Sequence, residues 1–275
     1  MAVPGFSSLT GPKKVGDLKP VNGAKTPKMS TTSFRLMIFG NKGDPMLVKN
    51  DDTLKTFCPE AYAEFGGEES IEELAIGYQE SLAHWYMTCD SEHKYEMDDY
   101  PLASGRGYIV FTSSGLSKGV TLTDSGAVGT EDIPVAMPKS SYFISGNASA
   151  RDFKVKDFTV VNGAKTPKIS PSSFRLLFFG KKSGEMMLVK ENEYLADFCP
   201  AAYAKYGAEE SIEEFALGYS ESDNHWYMSC DSGKEFIMDD YVIKAGEGFE
   251  IFCSSGLTKG ATITLPAALE APAVE

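Results

Sequence analysis

Apolar residues arrive along the chain in short runs of four to eight, bounded by Gly, Pro, Asn and Ser. Runs of that length, several of them aromatic or β-branched, are strand signals. They predict strands over Phe34–Phe39, Met46–Lys49, Leu74–Tyr78, His84–Thr88, Tyr108–Thr112 and Val120–Thr123. Two segments break the pattern, CPEAYAEFG from Cys58 and CPAAYAKYG from Cys199. Pro in the first turn and Gly at the end make each a short helix. Ser70–Glu73 has the form of a capping box and predicts a single helical turn.

The same pattern occurs twice. VNGAKTPKMSTTSFRLMIFG at 21–40 returns as VNGAKTPKISPSSFRLLFFG at 161–180, and about 60 of the 103 positions from Val21 to Thr123 match once one residue is inserted near Gly184. A repeat of that length is a domain rather than a solenoid unit. The expected fold is therefore mostly β: two tandem homologous antiparallel β-sandwich or barrel-like domains, each with one short helix. The first spans 1–125, a linker 126–132, the second 133–266 and a tail 267–275. IPVAMP and SSYFIS, within 133–145, predict two short strands at the head of the second domain and are the candidate for a strand bridging the two.

Composition narrows the function. The 275 residues carry 26 Lys and Arg against 39 Asp and Glu, a net charge of −13. That acidic balance is the wrong sign for neutralising phosphates, so nucleic acid is not an expected partner. Hydrophobic residues at 42% supply a real core. No run approaches a membrane span, and MAVPGFSSLTGPKK lacks the apolar stretch of a signal peptide.

Candidate chemistry is sparse. Four of the five cysteines occupy equivalent positions, Cys58 with Cys199 and Cys89 with Cys230, whereas Cys253 faces Thr112. Disulfides Cys58–Cys89 and Cys199–Cys230 would each contribute roughly 3 kcal/mol and require an oxidising compartment. Buried reduced thiols are the equal alternative. Cys253 alternates with Phe249 and Ile251 and belongs to the core.

His84, Trp85 and Tyr86, repeated as His225, Trp226 and Tyr227, hold both tryptophans. On a strand, Trp85 shares a face with Met87, and His84 shares the other with Tyr86. The first reading is core tryptophans under a surface patch. The sharper one is a sugar-stacking platform beside Asp98 and Asp99. Nothing has zinc-finger or EF-hand spacing, and no metal or cofactor is expected; Ca²⁺ at the acidic pair is the remaining metal alternative. Cys58 with His84 is the one pairing suited to nucleophilic catalysis, but no elbow motif supports an enzyme. GRG and GEG, holding Gly105, Gly107, Gly246 and Gly248, precede strands and so mark turns rather than a phosphate cradle.

The longest identical run, VNGAKTPK, is polar and turn-like, so core packing does not explain it; a binding role and recent duplication are the two readings. Lys25 and Lys28, with Lys165 and Lys168, give this end of each repeat positive charge, while Glu68, Glu69, Glu209 and Glu210 lie in acidic segments. Opposite patches on one module can join copies head to tail.

The order of VNG turn, FR-hydrophobic strand, GYS or GYQ, WY, then AGEGFEIF and ATITLP resembles tandem β-modules of uncharacterised bacterial surface or exported proteins. The resemblance covers most of 135–265 and, more loosely, 14–123. It implies a structural or adhesive role and brings no catalytic residues.

The expectation is a non-enzymatic structural protein that self-assembles into a filament, sheath, surface layer or virion coat, its partners being copies of itself. An extracellular or cell-surface location is favoured over a cytoplasmic or virion one. The alternative is a carbohydrate-binding module using His84, Trp85 and Tyr86 and their second-repeat equivalents.

Overall fold

The computed structural model describes residues 5–8, 13–39, 55–65, 74–102, 107–124, 131–147, 152–179, 193–206, 215–245 and 247–266. The protein is mostly β, built from antiparallel sheets. Its first half contains β1 (Gly5–Ser8), β2 (Lys13–Lys14), β3 (Leu18–Asn22), β4 (Phe34–Phe39), helix α1 (Pro59–Phe65), β5 (Leu74–Gln79), β6 (His84–Met87), β7 (Pro101–Leu102), β8 (Gly107–Thr112) and β9 (Val120–Asp124). The second half follows with β10 (Ile133–Met137), β11 (Ser141–Gly146), β12 (Phe153–Lys154), β13 (Thr159–Asn162), β14 (Phe174–Phe179), α2 (Glu193–Phe198), α3 (Pro200–Tyr206), β15 (Phe215–Ser220), β16 (His225–Met228), β17 (Val242–Ile243), β18 (Gly248–Cys253) and β19 (Ala261–Leu265).

Each half holds one five-stranded sheet, in the orders β1-β8-β4-β5-β6 and β11-β18-β14-β15-β16. Register explains which residues enter the core, because Leu36 lies opposite both Ile76 and Val110, and Ile76 opposite Met87. These share one face, which closes over Leu18, Ala61, Trp85 and Tyr108. The second half repeats the arrangement around Leu176, Leu217, Trp226 and Ile251. Gly77 and Gly218 are required by close approach. A Cβ there would lie 2.0 Å from the Thr31 carbonyl oxygen and 2.1 Å from that of Pro171.

The smaller sheets differ between halves. Among the described residues β3 and β9 pair only with each other, whereas β19 lies between β13 and β10. The 133–145 segment thus divides: β10 joins the second half's own sheet, and β11, an edge strand, pairs with β18 and also lies beside β1. Met46–Lys49 and Ser70–Glu73 fall outside the described residues. Among the described residues the second half carries two α-helices rather than the single expected one, since Pro200 interrupts the segment and starts a new first turn after Cys199, and residues 55–57 are likewise helical before Pro59. No helix among the described residues is long and apolar enough to cross a membrane.

Candidate functional site

Strand β6 is the centre of the most chemically varied cluster. Beyond its last residue the chain turns and comes back alongside, so that Tyr86 bridges Glu96 and the Met97 amide donates to the Trp85 carbonyl at 2.7 Å. This short ladder puts residues 84, 86, 96 and 98 on one face. Asp98 then serves two partners: one carboxylate oxygen accepts the Trp85 amide at 2.8 Å, and the other meets His84 Nδ1 at 2.8 Å. Glu96 approaches the same nitrogen diagonally at 3.3 Å. The hydrogen bond to Asp98, with the charge of Glu96 behind it, holds the His84 imidazole pKa above its ordinary value. His93 sits edge-on against the Tyr86 ring, centroids 4.7 Å apart.

The second half keeps the frame and changes the attachments. His225 Nδ1 meets Asp239 at 2.7 Å, and Asp239 accepts the Trp226 amide at 2.8 Å. The position of Glu96 is held by Ile237, exposed at 52%. That of His93 is held by Lys234, whose ammonium reaches Ser220 at 2.7 Å and Asp223 at 3.0 Å. Hydrogen bonds from Ser220 and Lys234 hold the Asp223 carboxyl down at about 2. Ser220 is buried and its lysine is paired with a carboxylate, so the pair is a brace rather than a nucleophile and base.

Set against known proteins, the chain matches no family model, no curated protein and no solved structure.

Trp85 and Trp226, exposed at 1% and 2%, are core residues, and Tyr86 and Tyr227 are buried too. Stacking on a sugar needs a ring face in water, which these four do not offer. Only His84 and His225 of the six reach solvent appreciably. Asp99 turns away from Asp98 to pair with Lys14 at 2.7 Å, so the acidic pair does not converge on one cation. Asp90 is buried and accepts the Tyr95 amide. All five cysteines are unlinked thiols; Cys58 and Cys89 pack against the first core, Cys199 and Cys230 against the second, and burial pushes the Cys253 thiol pKa up.

Lys25, Lys28, Lys165 and Lys168 are exposed, whereas Glu68, Glu69, Glu209 and Glu210 lie outside the described residues. The identical VNGAKTPK loops are explained by their own hydrogen bonds. Asn22 Oδ1 accepts the Ala24 amide, and Nδ2 donates to the Pro27 carbonyl and to Glu80; Asn162 does the same with Ala164, Pro167 and Glu221. Glu96 is the residue that sequence reasoning missed. Its only signal is EMDDY in the first repeat against IMDDY in the second.

Proposed function

We propose that the chain is a non-enzymatic structural protein of two tandem homologous β-domains, 1–125 and 133–266, which self-associates through a strand edge of the first. One observation carries this reading: among the described residues, β19 has a strand on both sides and β9 on only one. β10 lies along β19, with Ile133, Val135 and Met137 opposite Leu265, Ile263 and Ala261, and buries Val135 and Met137. No described strand lies along the matching edge of β9.

That edge is able to pair. The Gly23 amide donates to the Gly119 carbonyl, which fixes the phase of the β3–β9 ladder. Thr121 and Thr123 bond to β3, and the amides and carbonyls of Val120, Leu122 and Asp124 point outward. Pro20, opposite Leu122, is in the position that needs no donor. Leu122 is half-buried where Ile263 is fully buried. Gly119 and Gly260 share a φ of +69°; a Cβ at Gly260 would lie 2.1 Å from the Met137 carbonyl oxygen, while one at Gly119 would meet nothing within 4 Å. Among the described residues, nothing fills in the first half the space that β10 fills in the second.

A strand edge of this kind takes an extended segment from another molecule. Among the described residues, β10 covers the edge of β19 and no strand covers that of β9, which leaves that edge for a second copy. Two β9 strands meeting antiparallel about a two-fold axis satisfy both at once. The exposed lysine loops supply the charge for contacts extending such pairs into a larger assembly.

Sedimentation across a concentration series, with hydrogen exchange at matched concentrations, tests this. Association should slow exchange of the Leu122 amide and leave that of Ile263 slow throughout. A protein that stays monomeric at every concentration, or that associates while Leu122 still exchanges freely, sinks the reading.

A further inference from the structure

The His–Asp brace is present in both halves, so on its own it serves the fold by orienting the chain that returns alongside the histidine strand. The first half adds a third donor. His84, Glu96 and Asp98 each offer a donor atom within 4.8 Å of the others', with His84 Nδ1 2.8 Å from Asp98 Oδ2 and 3.3 Å from Glu96 Oε1. Donors about 2.0 to 2.2 Å from a common ion, with angles between them of roughly 90 to 110°, lie about 3 Å apart, which is the spacing of His84 from each of the two carboxylates.

We propose that His84, Glu96 and Asp98 bind one divalent transition-metal ion of the Zn²⁺ type, and that the second half, with Ile237 in place of Glu96, does not. The class follows from the donors. A neutral imidazole with two carboxylates suits Zn²⁺, Co²⁺ or Ni²⁺, whereas Ca²⁺ and Mg²⁺ prefer an all-oxygen shell. The second oxygen of Asp98 stays on the Trp85 amide, which aims the first and keeps the carboxylate monodentate. The ion replaces the proton shared between His84 Nδ1 and Asp98, so binding at a pH where the imidazole is protonated releases that proton. Water completes the shell, as the exposures of His84 (43%), Glu96 (51%) and Asp98 (27%) allow. Lys19, the nearby cation opposing binding, has its ammonium tied to the Gly16 carbonyl.

The two halves form a paired experiment within one molecule. Co²⁺ is titrated into the full-length, tag-free, reduced protein, and the amide resonances of Trp85 and Asp98 are compared with those of Trp226 and Asp239. In the native chain the first pair should shift or broaden and the second should not, and excess Zn²⁺ should reverse the effect. Glu96→Ile should weaken binding at least about tenfold. Ile237→Glu, a change at an exposed position, should make Trp226 respond as Trp85 does. Equal response of both halves, silence at Trp85 in excess Co²⁺, an unchanged Glu96→Ile variant or a silent Ile237→Glu variant would each overturn the assignment.

Discussion

Replacing Asn162 by Ala removes three hydrogen bonds at once. Its Oδ1 accepts the Ala164 amide at 3.0 Å, and its Nδ2 donates to the Pro167 carbonyl at 2.9 Å and to Glu221 at 2.8 Å. Glu221 also accepts the Ile169 amide at 2.8 Å, so the loss reaches the strand that the loop feeds. Two neutral bonds at about 1 kcal/mol each and one charged bond at about 2, discounted because the groups are only partly buried, give about 2 to 3 kcal/mol. For a unit of this size that is roughly 10 °C in Tm. The substitution also carries a pH signature. The bond from Asn162, with that from the Ile169 amide, holds the Glu221 pKa below its reference value of 4.5. A carboxyl depressed in the folded state adds stability that is complete above the unfolded value and is lost as pH falls through the folded one. Denaturant unfolding followed by tryptophan fluorescence at pH 7, 5 and 3 should therefore show wild-type stability declining more steeply toward pH 3 than the variant's. A variant within about 0.5 kcal/mol of wild type at pH 7, or one with an unchanged pH slope, would refute the loop brace and return VNGAKTPK to the status of a candidate binding loop.

Two further outcomes are expected. Lys156 and Lys154 hold Asp240 at about 2, as Ser220 and Lys234 hold Asp223; their stabilisation is complete above about pH 4 and lost as pH falls toward 2, so Asp240→Asn and Asp223→Asn should each flatten acid unfolding in that window. Gly77→Ala drives a Cβ into the Thr31 backbone and should cost more than about 3 kcal/mol, while Gly115→Ala, whose Cβ would meet nothing nearer than 3.7 Å, should stay within about 0.5 kcal/mol by urea denaturation.

Much of the fold is legible as pattern. The runs at 34–39, 74–78, 108–112 and 120–123 are strands, and Trp85 and Met87 share the buried face that alternation assigns them. Tyr86 departs from alternation because the returning chain at Glu96 and the His93 ring cover the second face, a long-range effect no local period carries. The same return brings Glu96 to His84 from twelve positions away. Period and spacing describe one strand at a time, and this cluster exists only between two.

What both halves keep, the Asn–Glu loop brace, the His–Asp pair and the glycine beneath a crossing backbone, satisfies backbone groups that would otherwise be stranded. Duplicated chemistry of that kind is explained once it is seen to hold the chain in place. The halves part at two places among the described residues: β10 lies along β19 while no described strand lies along that edge of β9, and Glu96 stands where the second half has Ile237. An uncovered strand edge invites pairing with another chain, and two carboxylates beside one imidazole favour a cation between them, whether the protonated ring itself or a metal ion. The proposed second copy and the proposed metal ion would each act at one of these differences.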